Sequence, residues 1–299
     1  MIVARTFAAI ALALVLAFHG GSVPTAAAGE RIERQIEVDG WTRSYTLFLP
    51  DEPSSRNRWP LIVAFHPAFA QGIFMERVAA LHAGPGGGNF AVAYPDGIRR
   101  AWNAGDCCGM PYRRGIDDVA FYRAVVADVG QLLPLEPDVY LTGFSNGARM
   151  VFHIMCVAPQ NVAAAATVGA TRDMETCASS RIPLLHIHGA DDKGSPALGG
   201  RVPGRLGDQV GYISPAPEVA EDVARRNGCS AAAGSIAKAR TLGTTCTTYC
   251  AGRAGEVLLC IIPDTGHVWP GAAAGPAFLG RSRPDLAATE EILRFFNRH

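Results

Sequence analysis

Short, continuous apolar runs recur along the chain, and glycine, proline or aspartate bounds most of them. Such a run is typical of a strand that is buried on both faces of a parallel sheet. The runs are PLIVAFH (60–66), FAVAYPDG (90–97), DVYLTG (138–143), VAAAATVGA (162–170), IPLLHIHGA (182–190) and EVLLCIIP (256–263). The segments IERQIEVDG (32–40) and SYTLFLP (44–50) instead alternate apolar and polar positions around a glycine turn, which predicts a β-hairpin.

Apolar residues at helical spacing separate many of these runs. The segments are IDDVAFYRAVVADVGQLL (116–133), ARMVFHIMCVA (148–158), PEVAEDVARRNG (217–228) and RPDLAATEEILRFFNRH (283–299). Strands that alternate with helices predict an α/β fold with a mostly parallel central sheet and helices on both faces. The Gly-, Pro- and Ser-rich stretch 193–216 is predicted to be a long surface loop. Residues 29–299 show no internal repeat and no linker, so we expect them to form a single catalytic domain.

The first residues follow a different pattern. Arg5 precedes an apolar run from Phe7 to Phe18, and the small residues of TAAAGE suit cleavage after Ala28. This pattern predicts a secretory signal peptide over residues 1–28. A membrane anchor is the alternative, but the run is short for a bilayer. The mature protein is therefore expected in the periplasm or the medium, without a membrane anchor.

Charge and cysteine content narrow the function. The chain has 27 basic and 27 acidic residues, so no imbalance points to a nucleic acid partner. Its eight cysteines, an even number in an exported chain, predict disulfides. Zinc is the alternative, but Cys246 and Cys250 lack a second pair at ligand spacing, and no metal or cofactor is expected. Adjacent Cys107 and Cys108 are expected to bond to different partners, because a vicinal bond strains the backbone.

The pentapeptide GFSNG (143–147) carries the first chemical signal. It matches G-x-S-x-G between a predicted strand and a predicted helix, which is the context of a nucleophile elbow. Flanking glycines allow the sharp turn, and the helix N-terminus favours developing negative charge on Ser145. A strand-to-helix turn with a capping serine is the alternative.

A serine nucleophile needs a base and an orienting carboxylate, in the chain order Ser, Asp, His for this kind of sheet. Asp191 and Asp192 follow the strand of 182–190, and His267 follows the last strand. The carboxyl ends of parallel strands are where such sheets build their sites. The sequence therefore predicts Ser145, Asp192 and His267 as catalytic, with Asp191 as the competitor for Asp192.

An oxyanion requires two backbone N–H donors. Asn146, which follows the serine, is expected to give one. The other is expected from the loop after residues 60–66, where Pro67 has no N–H; Ala68 is the first candidate and Phe69 the second. His66 is interpreted as a histidine that orients this loop. Asp117 and Asp118 are interpreted as a helix start and a structural anchor.

Several longer motifs carry a family resemblance. They are WNAGDCCG (102–109), IDDVAF (116–121), VYLTGFSNGARM (139–150), HGADD (188–192) and GHVWPG (266–271). Together they resemble the secreted polyhydroxybutyrate depolymerase-like and feruloyl esterase-like family, of the carbohydrate esterase family 1 type. That family has the α/β-hydrolase fold and includes feruloyl and acetylxylan esterases. The resemblance runs from about residue 40 to the last residue.

This resemblance implies roles for individual residues. Ser145 would be the nucleophile, His267 the general base and Asp192 its orienter, since the family carboxylate lies three residues after the glycine of HGxxD. Trp102 and Trp269 lie in the motifs and could form an apolar wall for an acyl group, with core packing as the alternative. The chain departs from the family at His66–Pro67, where His-Gly is usual, at KGSP after Asp192, and at Thr265.

The resemblance also implies disulfides. It suggests Cys229 with Cys250, and Cys246 facing Cys260 across a hairpin. Cys107 and Cys108 would then be left for Cys156 and Cys177.

The resulting hypothesis is a secreted serine esterase. The expected substrates are feruloyl or acetyl esters of plant polysaccharide, or short hydroxyalkanoate esters. The alternatives are a polyhydroxybutyrate depolymerase proper, a secreted binding protein with a vestigial triad, and peptidase or acyltransferase chemistry on the same residues.

Overall fold

The computed structural model describes residues 29–50, 57–178, 180–202, 204, 207, 210–229, 234–273 and 277–299. The predicted signal peptide over residues 1–28 lies outside these described residues. No helix within them is long and apolar enough to span a bilayer.

The described residues form a large mixed sheet, a short two-stranded ribbon and several helices. The strands are β1 (Arg31–Val38), β2 (Trp41–Phe48), β3 (Trp59–Phe65), β4 (Ala91–Pro95), β5 (Leu135–Phe144), β6 (Val162–Val168), β7 (Leu184–Gly189), β8 (Gly200–Arg201), β9 (Tyr212–Ile213), β10 (Ile236–Ala239), β11 (Thr244–Cys250) and β12 (Val257–Ile262). The α-helices are α1 (Gly72–Ala79), α2 (Gly109–Arg114), α3 (Asp118–Leu132), α4 (Asn146–Val157), α5 (Ala216–Arg226) and α6 (Ala288–Phe296).

The main sheet has ten strands in the order β1-β2-β4-β3-β5-β6-β7-β12-β11-β10. Its centre, from β4 to β12, is parallel. Antiparallel pairs complete both edges, with β1 and β2 on one side and β10 and β11 on the other. The predicted fold class is therefore confirmed: this is an α/β-hydrolase sheet, and its apolar runs are the central strands.

Alternate side chains of a central strand enter two separate cores. In β3, Leu61, Val63 and Phe65 enter the core that also contains residues of α3, α4 and α5. Ile62 and Ala64 of the same strand point to the opposite face, against α1 and α6. Every residue of β3 is buried, which is why the run is apolar without alternation.

Other parts depart from the predicted pattern. The helix predicted over 116–133 begins at Asp118, because the Asp117 carboxylate caps it by accepting from the Ala120 N–H at 2.7 Å. The segment 193–216, predicted to be a loop, contains the β8–β9 ribbon. Strand β11 (TTCTTYC) has no apolar run because four of its residues are threonine, and it was expected only as one side of the hairpin that the resemblance implied for Cys246 and Cys260. Cys246 of β11 pairs in register with Cys260 of β12.

Four disulfides join all eight cysteines. Cys229 bonds to Cys250 and Cys246 to Cys260, the pairings that the resemblance implied. The expectation for the other four was wrong. Cys156 bonds to Cys177, with their Cα atoms 4.9 Å apart, which leaves Cys107 and Cys108 bonded to each other.

Candidate active site

Ser145 lies at the sharp turn between β5 and α4. Its backbone has φ 55° and ψ −120°, a region that residues with a Cβ seldom adopt. The Ser145 N–H donates to the Val168 carbonyl at 2.9 Å, which fixes the turn against β6. The Ser145 hydroxyl consequently stands at the carboxyl edge of the sheet and lines a large cavity.

The two glycines around Ser145 are required by close approach. A Cβ on Gly143 would lie 2.4 Å from the Gly147 carbonyl oxygen. A Cβ on Gly147 would lie 2.1 Å from the Phe65 carbonyl oxygen. Both distances are far inside contact range, so the G-x-S-x-G spacing follows from how tightly β5, α4 and β3 pack.

Ser145, His267 and Asp192 form one hydrogen-bonded row. His267 Nε2 lies 2.8 Å from Ser145 Oγ, and His267 Nδ1 lies 2.7 Å from Asp192 Oδ2. Of the two adjacent carboxylates, Asp192 is buried against the histidine, whereas Asp191 is exposed. The structure thus brings the three predicted residues together although up to 122 positions separate them.

The Asp192 carboxylate is held in its ionised form. Burial alone raises its pKa, but hydrogen bonds from His188 and His267 outweigh burial and hold the pKa of Asp192 at about 2. Backbone N–H groups of Gly194 and Ser195 donate to its other oxygen at 2.8 and 2.7 Å. An ionised Asp192 only accepts, so His267 carries its proton on Nδ1 and leaves Nε2 free to accept the Ser145 proton.

The two predicted oxyanion donors face the same cavity. Ala68 and Asn146 both line it beside Ser145. The Asn146 amide is the first of α4 and has no acceptor within the helix. The Phe69 amide, the second candidate, already donates to the Arg100 carbonyl at 2.8 Å. Ala68 is therefore the better placed of the two loop residues.

His66 braces the loop that carries Ala68. The Gly97 N–H donates to His66 Nε2 at 2.8 Å, so the ring proton sits on Nδ1, which donates to the Pro67 carbonyl at 2.8 Å. Burial lowers the pKa of His66 to about 4, and the ring is neutral near pH 7. This arrangement agrees with the interpretation of His66 as an orienting histidine.

Trp102 is not a substrate wall. Its side chain is fully buried and packs edge-on against Phe65, with ring centroids 5.2 Å apart. Its indole Nε1–H donates to the His66 carbonyl at 2.9 Å. Trp102 therefore supports the His66–Pro67 loop from within the core, and its expected contact with substrate is corrected. Trp269 does line the cavity, although it is only 2% exposed.

A buried ion pair that the sequence did not reveal anchors the Trp102 loop. Arg43 of β2 contacts Asp118 at 2.7 Å, and both side chains are almost fully buried. Asp118 also accepts from the Asn103 N–H at 2.7 Å. The predicted role of Asp118 as an anchor fits this geometry. Arg43 lies in a hairpin strand with many polar positions, and Asp118 is 75 residues further along the chain, so the sequence contains no sign of the pair.

The cavity in front of Ser145 has a volume of about 1430 Å³. Its wall is largely apolar and aromatic. The aromatic residues that line it are Phe69, Phe74, Phe144, Trp269 and Phe278. The charged side chains that line it are Arg77, Arg100, Arg149 and Glu290. No group of three potential metal ligands is found in the described part of the chain.

Several known proteins are similar to this chain in sequence or in fold. No protein-family model matches the chain. A Nocardia uniformis subsp. tsuyamanensis protein named "Putative esterase NocK" is 28% identical over 285 residues, which cover 88% of this chain and 81% of that protein. Feruloyl esterase D of Neurospora crassa is 23% identical over 295 residues, which cover 93% of this chain and 89% of that protein. The structure of acetyl xylan esterase from Aspergillus awamori is 15% identical with a TM-score of 0.60, covering 90% of this chain and 100% of that one.

The sheet and the elbow define the class of α/β-hydrolases, and the chain is similar in sequence to two proteins named as esterases. Within that class, the chain is a carboxylic ester hydrolase.

Proposed function

We propose that this chain is a serine esterase that cleaves carboxylic esters through an acyl-enzyme, with Ser145, His267 and Asp192 as catalytic residues. One observation carries the proposal. The two hydrogen bonds of 2.8 and 2.7 Å run from Ser145 through His267 to an ionised Asp192, and the row opens on an apolar cavity.

In the first step, the Ser145 oxygen attacks the ester carbonyl while its proton passes to His267 Nε2. The carbonyl electrons move to an oxyanion that the N–H groups of Ala68 and Asn146 stabilise. His267 then gives the proton to the leaving alcohol, and the C–O bond breaks. Asp192 stabilises the transient imidazolium without taking its proton.

In the second step, water replaces the alcohol. His267 Nε2 takes one proton from the water as it attacks the acyl-enzyme carbonyl. Collapse of the second oxyanion breaks the bond to Ser145 Oγ, which recovers its proton from His267. The products are the carboxylic acid and the free enzyme.

Among ester classes, we favour an aromatic, feruloyl-type acyl group. The aromatic side chains of Phe69, Phe74, Phe144 and Phe278 give the cavity faces on which such a ring can pack. The similarity to feruloyl esterase D supports the same choice. Acetyl and hydroxybutyryl esters are the alternatives that the substrate test separates.

We also propose that the protein works outside the cytoplasm. Four disulfides in the described residues support an oxidising compartment. The N-terminal pattern of residues 1–28 supports export. Mass determination of the N-terminus of the secreted protein tests cleavage after Ala28.

The test is a panel of feruloyl, acetyl and hydroxybutyryl esters with wild type, Ser145→Ala and Ser235→Ala. Ser235 is exposed and does not line the cavity, so its variant is the matched control. Ser145→Ala should lose on the order of 10⁴-fold in kcat and should no longer react with a fluorophosphonate probe, whereas Ser235→Ala keeps both. Near wild-type turnover by Ser145→Ala rejects the mechanism. A wild type that binds the esters without cleaving them would make the protein a binding protein.

A further inference from the structure

Two histidines that the proposed mechanism does not use lie behind Asp192. His186 and His188 stand on the same face of β7, and Thr167 lies beside them on β6. Thr167 Oγ1 is 2.8 Å from His186 Nδ1, and His186 Nε2 is 2.9 Å from His188 Nδ1. The row ends where His188 Nε2 lies 2.7 Å from the Ser195 carbonyl and 3.4 Å from Asp192 Oδ2.

For two neutral rings, the partners of this row define one order of protons. A carbonyl and an ionised carboxylate only accept, so His188 carries its proton on Nε2. The Nδ1 atom of neutral His188 must then accept, and His186 carries its proton on Nε2 as the donor. His186 Nδ1 is left as an acceptor for the Thr167 hydroxyl. Each ring therefore donates toward Asp192.

Burial disfavours a charge on the His186 ring. His186 and His188 are buried, and burial lowers the pKa of His186 well below its usual range. The titratable groups that act on Asp192 are His188 and His267. The one that acts on His186 is His188. The hydrogen-bond geometry of the row sets the order of donors.

The row fastens the turn that holds the carboxylate. The Ser195 N–H donates to Asp192 Oδ1, while the Ser195 carbonyl accepts from His188. A single residue thus connects His188 to both the turn and the carboxylate. If His188 stopped donating, the turn would lose one of its two attachments, and Asp192 would lose a donor beside His267.

We propose that His188 is a positioning residue for ester hydrolysis, which it serves by donating from Nε2 to the 192–195 turn, and that Thr167 and His186 impose the proton order this donation needs. This inference rests on the proposed catalytic role of Asp192. It predicts that kcat depends on a donor at the Nε2 position and that KM does not, because His188 is outside the cavity lining.

The first experiment compares His188→Gln, His188→Asn and His188→Phe. The Gln amide nitrogen reaches the Nε2 position, whereas the Asn amide is too short and Phe has no donor. We expect kcat to fall by up to about 100-fold in His188→Asn and His188→Phe, as for a misplaced catalytic group, with KM within about twofold and most of kcat kept in His188→Gln. Folded Asn and Phe variants with wild-type kcat would overturn the proposal, and so would a Gln variant as slow as the Phe variant.

The second experiment acts at the far end of the row, where less structure is at risk. Thr167→Val removes the hydroxyl that donates to His186. Thr142→Val on the neighbouring strand β5 is the matched control, since the buried Thr142 hydroxyl has no partner in the described part of the chain. We expect Thr167→Val alone to lower kcat, by a smaller factor than His188→Asn. Equal kcat in the two threonine variants would contradict the proposal.

A spectroscopic measurement separates this inference from the proposed function. In protein labelled with ¹⁵N-histidine, protonated and unprotonated ring nitrogens have distinct chemical shifts. His186 and His188 should both show a protonated Nε2 and an unprotonated Nδ1, and Thr167→Val should perturb the His186 signals. The opposite tautomer in either ring overturns the inference even if Ser145 is the nucleophile. An active Ser145→Ala variant would instead overturn the proposed function, and the spectra would still test the proton order.

Discussion

Asn146 and Trp102 exchange two hydrogen bonds. The Trp102 N–H donates to Asn146 Oδ1 at 2.8 Å, and Asn146 Nδ2 donates to the Trp102 carbonyl at 3.1 Å. This side-chain pair joins the start of α4 to the loop that supports His66. One proposed oxyanion donor, the Asn146 amide, is therefore held by the element that braces the other.

Replacing Asn146 with Asp should impair the oxyanion site. The new carboxylate oxygen would face the Trp102 carbonyl, acceptor against acceptor, and would push the start of α4 away. Loss of an oxyanion donor outright costs about 10²–10³-fold in kcat, so a displaced donor should cost roughly tenfold or more, with a smaller change in KM. Steady-state kinetics of Asn146→Asp beside Asn89→Asp, an exposed control, measure this. Equal kcat in both variants would refute the role of this hydrogen-bond pair.

Gly147→Ala should damage both stability and activity. Its Cβ would press on the Phe65 carbonyl at 2.1 Å, a backbone atom that cannot move without shifting β3. The matched control is Gly130→Ala in α3, where the nearest atom to a new Cβ is a Leu135 methyl at 3.9 Å. Denaturant titration should show Gly130→Ala neutral or stabilised by up to about 1 kcal/mol. Gly147→Ala should lose stability and turnover; retention of both would show that α4 can separate from β3.

The buried His66 should make the protein sensitive to moderate acid. The folded pKa of about 4 lies below the value of about 6.5 in an unfolded chain, because burial disfavours the imidazolium. The unfolded chain binds the proton first, so the free energy of unfolding falls as pH drops from about 6.5 through 4. His66 accounts for a loss on the order of 3 kcal/mol over that range.

His66→Gln isolates this contribution, because the Gln side chain can still accept from Gly97 but does not titrate. Urea unfolding at pH 7, 5.5 and 4 gives the free energies. The decrease between pH 7 and 4 should be smaller in His66→Gln than in wild type by roughly the same amount. The same pH dependence in the two proteins would show that His66 is not the titrating group.

The charge of the cavity should favour esters that carry a carboxylate. Arg77 and Arg100 line the cavity, are exposed, and pair with no carboxylate in the residues that the structure describes. The acidic lining residue Glu290 is already paired with Arg294. The α4 N-terminus at Ser145 adds further positive potential.

Arg100→Gln and Arg77→Gln should therefore lower kcat/KM for p-nitrophenyl hemisuccinate more than for p-nitrophenyl butyrate. Exposed ion pairs contribute about 0.2–1 kcal/mol, so a factor of roughly two to five is expected at low salt. It should shrink as ionic strength rises. Arg99→Gln is the matched control, since Arg99 is exposed and adjacent but outside the cavity lining. The same ratio of the two substrates in all three variants would exclude a role for this charge.

The sequence predicted the frame of the site because that frame depends on local patterns. Buried parallel strands are short apolar runs, and each proposed catalytic side chain follows the carboxyl end of one: Ser145 after β5, Asp192 after β7 and His267 after β12. The glycines of the elbow could also be recognised in the sequence. They are required where β5, β3 and α4 come into close contact, and that place is marked by the local G-x-S-x-G pattern.

The remaining features depend on contacts between distant segments. Trp102 has the residue type of a substrate wall, and only its packing on Phe65 and His66 shows that it lies beneath the loop. Cys107 bonds to Cys108, whereas Cys156 of α4 bonds to Cys177, and residue spacing does not distinguish these pairings from the alternatives. Arg43 and Asp118 form a pair only because β2 crosses the start of α3. Residue spacing carries no signal for such encounters.

The hydrogen-bonded row from Ser145 to Asp192 also determines at which stage of folding the chain becomes able to hydrolyse esters. Its two contacts span 122 and 75 residues, and His267 follows β12, which docks beside β7 only when most of the polypeptide is present. Contacts at such separation carry a high loop-closure entropy and depend on the assembled sheet. A nascent or truncated chain that lacks β12 therefore has an elbow serine without a base. Turnover of a simple ester would thus report completed folding directly in a refolding experiment.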